Sequence, residues 1–166
     1  MNEPLTVFGD ADHACDPDRK SYMGIIAFAW GGPVAWTCKK IKSTCISVHE
    51  SELVAMSRAA MAIKWLARLV EALEGRKPLK VKLFCDNQGA RVTAVNGIRS
   101  KRSKHIDIAD LYVLQAVDEG QVEIKRVSSA DNKADFLTKP LGPQKFLPLI
   151  DKLELSGRGK FDSRGG

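Results

Sequence analysis

The hydrophobic period of this chain changes from about two to about 3.6 residues near Ser47, and that change most constrains its fold. Residues 5–10, 22–30 and 34–39 are short apolar runs suited to strands, with Gly31-Gly32-Pro33 placed to turn the chain between the second and the third. Nothing helical separates them, so they are expected to pair as consecutive antiparallel strands. From there Leu53, Met56, Ala60, Ile63, Leu66, Val70 and Leu73 recur at steps of three and four, the single buried stripe of a long amphipathic helix. Ser47 and Glu50 stand three apart just ahead of it, a capping-box spacing that starts the helix near Ser47.

Gly75 and Pro78 close that helix, and residues 79–85 alternate as a fourth strand ending at Asp86. A short helix to Asn96, a basic loop over residues 99–104, a helix over residues 105–119 and a fifth strand over residues 122–127 follow. Asp131 is expected to open a last helical region that Pro140, Pro143 and Pro148 divide into short pieces. This order predicts an α/β fold: one mixed five-stranded sheet with helices on both faces. The domain is assigned to residues 1–155, and residues 156–166, rich in Gly, Arg and Ser, read as a disordered tail.

A length of 166 residues suits one such domain, and 44% hydrophobic with 28% charged residues excludes a disordered chain. The net charge of +6 favours a polyanionic partner through phosphate neutralisation, without selecting a function by itself. Cys15, Cys38, Cys45 and Cys85 have no metal-type pairing in sequence and are expected to be reduced core thiols. No stretch approaches the roughly 18 apolar residues of a membrane span and no basic start leads into an apolar run, so an intracellular protein is expected.

Four acids stand where elements begin or end: Asp10, Glu52, Asp86 and Asp135. If the first and fourth strands are neighbours, Asp10 and Asp86 meet at one rim, and the helices can bring Glu52 and Asp135 to it. Carboxylates crowded in that way repel one another unless a cation neutralises them, and hard oxygen donors select Mg²⁺ or Mn²⁺. Two ions so held would suit in-line displacement at a phosphodiester. Any single strand-end Asp is more often a turn or capping residue. Asp12 shares a strand face with Asp10, so alternation leaves both open. Glu50 and Glu52 are about 200° apart on a helix, and with Glu50 given to the cap, Glu52 is left to reach the sheet. Asp131 suits an N-cap, which leaves Asp135 for a metal.

At these residues the sequence resembles the ribonuclease H domain of copia-type LTR retrotransposon polyproteins. The resemblance runs from about Val7 to Leu155 through Gly9-Asp10-Ala11-Asp12, Glu50-Ser51-Glu52-Leu53, Lys64-Trp65-Leu66, Cys85-Asp86-Asn87-Gln88, Ser103-Lys104-His105-Ile106-Asp107 and the segment Ala134 to Leu141. It implies a ribonuclease H-like fold and Asp10, Glu52, Asp86 and Asp135 as catalytic metal ligands. It also implies two Mg²⁺ ions, with Mn²⁺ as substitute, and hydrolysis of the RNA strand of an RNA/DNA hybrid to a 3′-hydroxyl and a 5′-phosphate. Three departures stand out: His13 replaces the usual Trp, Val48-His49 replaces Ser-Thr before the helix Glu, and Ser128-Ser129-Ala130 lacks the mobile His of cellular ribonucleases H, which implies slower product release. His105, close to Asp107 and Asp110, reads as a cap or a carboxylate partner rather than its replacement.

Arg99, Lys101, Arg102 and Lys104 are candidates to contact DNA-strand phosphates, and His49, Asn87 and Gln88 to contact 2′-hydroxyls across the minor groove. The expected partners are the hybrid and the reverse transcriptase domain of the same polyprotein, with the isolated domain monomeric and no membrane involved. The expected place is the cytoplasm, in a virus-like particle, or the nucleus. Two rivals remain: a domesticated nucleic-acid-binding remnant without turnover, and a DNA-cutting metal nuclease on the same fold.

Overall fold

A computed structural model of the protein describes residues 5–76, 80–97 and 111–153. Strands β1 (Thr6–Asp12), β2 (Tyr22–Ala29) and β3 (Gly32–Lys40) lead into helix α1 (Val48–Glu74). Then come β4 (Val81–Cys85), α2 (Gln88–Asn96), α3 (Tyr112–Asp118), β5 (Val122–Arg126), α4 (Asp135–Thr138) and α5 (Pro143–Lys152). The sheet order is β3-β2-β1-β4-β5. The first three strands are antiparallel, while β4 runs parallel to both β1 and β5. Each parallel step is spanned by helix, α1 before β4 and α2 with α3 before β5, as a parallel crossover requires.

The β2–β3 turn differs from the expected Gly31-Gly32-Pro33. It is the two-residue Trp30-Gly31, both at positive φ (52° and 81°), with Gly32 already paired to Ala29. Two positive φ angles give a turn whose twist matches the strands, so the hairpin closes one residue earlier. Pro33 is tolerated because β3 is an edge strand and the register shifts beside it, between Ala27 and Phe28.

Ser47 caps α1: its Oγ accepts from the Glu50 N–H at 3.2 Å, and the Glu50 carboxylate in turn accepts from the Ile46 N–H at 2.9 Å. Gly75, at φ 70°, ends the helix in the left-handed conformation. Ser47→Ala is expected to cost about 1 kcal/mol, read as a lower urea midpoint. Of the predicted stripe, Leu53, Met56, Ala60, Ile63, Leu66 and Val70 are buried, whereas Leu73, in the last turn of α1, is exposed.

The helices cover both faces. On one, α1, α2 and α3 pack over Val7, Ile25, Ala27, Val81, Leu83 and Val122. On the other, Phe8, Ile26, Phe28 and Phe84 meet Ala134, Phe136, Leu137, Ile150 and Leu153 of the C-terminal segment. Pro148 does not end α5 but lies inside it, at the cost of one backbone hydrogen bond, while Leu149 and Leu153 stay buried. Only Cys45 and Cys85 are core thiols; Cys15 and Cys38 are exposed, the first in the loop after β1 and the second on the edge strand β3. Among the described residues no helix is long and apolar enough to cross a membrane. The tail over residues 156–166 and the basic stretch with Arg99, Lys101, Arg102, Lys104 and His105 lie outside the described residues.

Candidate active site

The pairing of β1 with β4 runs Thr6↔Lys82, Val7↔Leu83, Phe8↔Phe84. Continued two residues, that register sets Asp10 beside Asp86, where β4 has ended and the rim opens. Strand β1 runs on to Asp12, so Asp10 is inside the strand rather than at its end, opposite Gly24 of β2. Asp10 is 1% exposed and Asp12 only half-buried, so burial separates two acids that alternation could not. Glu52 comes in from α1 on one face of the sheet and is 4% exposed. Asp135, the first residue of α4, comes in from the opposite face.

Asp10 is held by three side chains that sequence reasoning left out. Thr138 Oγ1 donates to its Oδ2, the amide of the fully buried Asn132 reaches its Oδ1 at 3.4 Å and the Gly9 carbonyl at 3.2 Å, and the Lys139 ammonium lies 3.6 Å from Oδ2. The same ammonium hydrogen-bonds Asp135 Oδ1, one helical turn back. Asn132 Oδ1 accepts from the Ala134 N–H, and this local bond helps to delay the helix. So Asp131 is not an N-cap: α4 begins at Asp135 with Ala134 as its uncapped start, and Asp131 instead closes a turn with Ser128. The signal was present, since Asn132, Thr138 and Lys139 lie within or next to the Ala134–Leu141 segment, but nothing local aims them at β1.

The electrostatics follow from the burial. Asp10 is pushed up to about 6, chiefly by desolvation, with Thr138 and Lys139 opposing and the Asp135 and Asp86 charges adding. Glu52 is pushed up to about 9 by desolvation and then by the charges of Asp10 and Asp86, against a smaller pull from Lys139 and the Ala11 N–H. Burial resists the charge on Lys139, yet its hydrogen bond to Asp135 and the charge of Asp10 raise it above an ordinary lysine. Burial and the Glu52 charge also push the Cys85 thiol up, which keeps it protonated 3.9 Å from Glu52 Oε2.

A cleft of about 450 Å³ opens on the cluster, lined by Asp10, Asp12, His13, Glu52, Asp86, Asn87, Ser129 and Lys139 among others, whereas Asp135 is not in its lining and meets the cluster through Lys139. Of the groove candidates, Asn87 lines it while also capping α2 through the Ala90 N–H at 2.9 Å. His49 is half-buried against α2, with Nε2 3.3 Å from Thr93 Oγ1, and Gln88 is exposed at the start of α2. The loop after β1 that carries His13 is tied down by Lys40, whose ammonium pairs with Asp16 at 3.0 Å and Asp18 at 2.7 Å.

A mixed sheet in this order, with an acidic rim between helices from both faces, is the ribonuclease H fold. RNase H1 from the halophilic archaeon Halobacterium salinarum superposes with TM-score 0.55 at 19% identity, over 89% of this chain and 98% of that one. LC11-RNase H1 in complex with an RNA/DNA hybrid gives TM-score 0.61 at 12% identity, over 81% of this chain and 93% of that one.

In sequence, the chain is 32% identical over 143 residues to the retrovirus-related Pol polyprotein from transposon TNT 1-94 of Nicotiana tabacum, covering 86% of this chain and 11% of that polyprotein. It is 31% identical over 150 residues to that of transposon RE1 of Arabidopsis thaliana, covering 90% and 10%. No family model matches. By sequence, then, the chain is a homologue of retrotransposon Pol polyproteins, in agreement with the copia-type ribonuclease H resemblance of its motifs. It spans about a tenth of the length of these relatives.

Proposed function

We propose that the chain is a ribonuclease H: a metal-dependent endonuclease that hydrolyses the RNA strand of RNA/DNA hybrids during retrotransposon reverse transcription. The observation that carries this is that Asp10, Glu52 and Asp86 line one open cleft, with Asp135 linked to Asp10 through the Lys139 ammonium at its edge. Support also comes from the fold shared with RNase H1 proteins, one of them solved with an RNA/DNA hybrid.

The residues fit divalent cations. Ligand atoms of Glu52, Cys85 and Asp86 lie within 4.8 Å of one another, and with the thiol protonated the available donors are hard carboxylate oxygens. Two buried carboxyls held above their ordinary range mark negative charge that the protein compensates only in part, through Lys139. We assign Asp10, Glu52, Asp86 and Asp135 to two Mg²⁺ ions, for which Mn²⁺ can substitute. Such ions would supply Lewis acidity at the phosphodiester and a water nucleophile at neutral pH.

The protein's own part is positioning. Asn132 and Thr138 fix both oxygens of Asp10, the Ala11 N–H orients Glu52, and α2, capped by Asn87, sets the wall of the cleft next to Asp86. Asn87, Gln88 and His49 are assigned to the minor groove of the hybrid, and Arg99, Lys101, Arg102 and Lys104 to DNA-strand phosphates. The natural setting would be a polyprotein that includes a reverse transcriptase domain, in the cytoplasm or nucleus.

The test is direct. With labelled RNA/DNA, RNA/RNA and DNA/DNA duplexes in Mg²⁺ or Mn²⁺, cleavage is expected in the RNA of the hybrid alone, and EDTA abolishes it. Equal cutting of DNA would identify a DNA nuclease on this fold, and tight hybrid binding without cutting a domesticated binding module.

The raised carboxyls also set a pH dependence. Without metal, folded Glu52 titrates near 9 against an ordinary 4.5, and Asp10 near 6 against 3.8, so the folded chain binds more protons than the unfolded one between those values. Their contribution to stability is full below pH about 4 and lost as pH rises through the two folded values. In EDTA, the urea midpoint of the wild type is therefore expected to fall with rising pH more steeply than that of Glu52→Gln. Mg²⁺ affinity should climb over the same range, because cation binding expels those protons.

A further inference from the structure

The four carboxylates divide by what they face. Glu52 and Asp86 form no ion pair among the described residues, and their oxygens converge with the Cys85 sulfur within 4.8 Å. Asp10 and Asp135 are instead bridged by one cation that belongs to the chain, the ammonium of Lys139, bonded to Asp135 Oδ1 and 3.6 Å from Asp10 Oδ2.

Lys139 is placed there by the end of α4. It is the C-cap residue, with extended backbone (φ −124°, ψ 138°) before Pro140, and its side chain reaches back one turn to Asp135. That side chain lines the cleft and is 39% exposed, so its head group has a path to solvent. Both oxygens of Asp10 are already engaged, Oδ1 by Asn132 and Oδ2 by Thr138 and Lys139. A divalent ion spanning Asp10 and Asp135 would have to take the volume and the charge role that this ammonium now fills.

We infer that Lys139 is a resident cation occupying the second cation position of the cluster, so that the site loads in order. The first divalent ion enters on the Glu52/Asp86 side without displacing any group. The second binds only as Lys139 leaves Asp10 and Asp135, and its affinity is lowered by that competition. Lys139 is thus a positioning residue: in the metal-free protein it neutralises a pair of carboxylates that would otherwise repel, and it makes the second ion the weaker one. This inference rests on the nuclease reading for the identity of the ions, but its test does not depend on turnover.

The experiment is a Mn²⁺ titration of the full chain, followed by calorimetry and by the electron paramagnetic resonance of free Mn²⁺, on wild type, Lys139→Met, Lys139→Gln and Lys139→Arg. Wild type should show a tight and a weak class. Both neutral variants should tighten the weak class by about tenfold or more, the order expected when a like charge a few ångström away is removed from a partly buried site. They should leave the tight class little changed, while Lys139→Arg behaves as wild type.

Thermal midpoints supply the readout that a purely structural tie would not move. The neutral variants should melt below wild type in EDTA and close that gap in saturating Mn²⁺. Unchanged or weakened second-class binding, or an equal midpoint loss with and without Mn²⁺, overturns the inference and leaves the nuclease reading standing. Failure of every variant and of wild type to bind Mn²⁺ overturns both.

Discussion

Asp86→Asn is expected to lower hydrolysis of the RNA strand by about a thousandfold, equivalent to ~4 kcal/mol of barrier, while leaving the chain folded. The substitution keeps side-chain volume and removes one negative charge from a cluster that raises Glu52 and Asp10. Asp86 is half-buried on the rim, just after β4, and among the described residues it forms no ion pair, so removing its charge relieves repulsion on Asp10 and Glu52. The thermal midpoint in EDTA should therefore hold or rise, and the rise on adding Mg²⁺ should shrink. Hybrid cleavage within tenfold of wild type would remove Asp86 from the chemistry and with it the four-carboxylate site.

Gly24→Ala is expected to damage activity out of proportion to its size. Gly24 lies opposite Asp10 on β2, and α4 packs directly over it. A Cβ there would sit 2.8 Å from Leu137 Cβ, 2.9 Å from Thr138 Cγ2 and 3.0 Å from the Ala134 carbonyl. None of these is the free end of a long side chain, so α4 must lift. Overpacking of this kind costs about 1–3 kcal/mol. Asp135 and Thr138 lie on α4 and Lys139 caps its end, so the same shift withdraws a carboxylate, the hydroxyl that orients Asp10, and the cation between them. A displacement near 1 Å in such a constellation can cost about a hundredfold in rate.

The matched control is Gly9→Ala, one residue before Asp10. Its Cβ would meet only Ala59 Cβ and Leu83 Cδ1, both at 3.9 Å, an ordinary contact. Activity measured beside urea midpoints for the two variants separates displacement of α4 from a general loss of stability. Equal, small effects would show that α4 does not position the site.

Much of this architecture is legible in the sequence because it is written locally. The stripe from Leu53 to Val70, the Ser47–Glu50 cap and the Gly75 stop define α1 within one or two residues, since each depends on neighbours a few positions away. Helix geometry separates Glu52 from Glu50, and the two side chains do lie apart: Glu50 caps the helix and Glu52 lines the cleft. Where the reading missed, a less obvious local conformation or a distant contact decided. Trp30 takes a positive φ and shortens the hairpin turn by one residue. Asn132 binds Gly9 and Asp10, 123 and 122 positions away, and the helix begins beyond it instead of at Asp131.

The sequence by itself determined the elements, the placement of acids near their ends, and through its motifs the fold to which they belong, because periodicity, caps and turns act over a few residues. Tertiary structure alone decided that Asp10 rather than Asp12 is the buried acid and that α4 crosses β2 at Gly24. It also decided that Lys139 stands between Asp10 and Asp135. Those facts depend on groups more than a hundred residues apart being brought together in a space that excludes water. Only there does the crowding of charge shift a carboxyl or call for a cation.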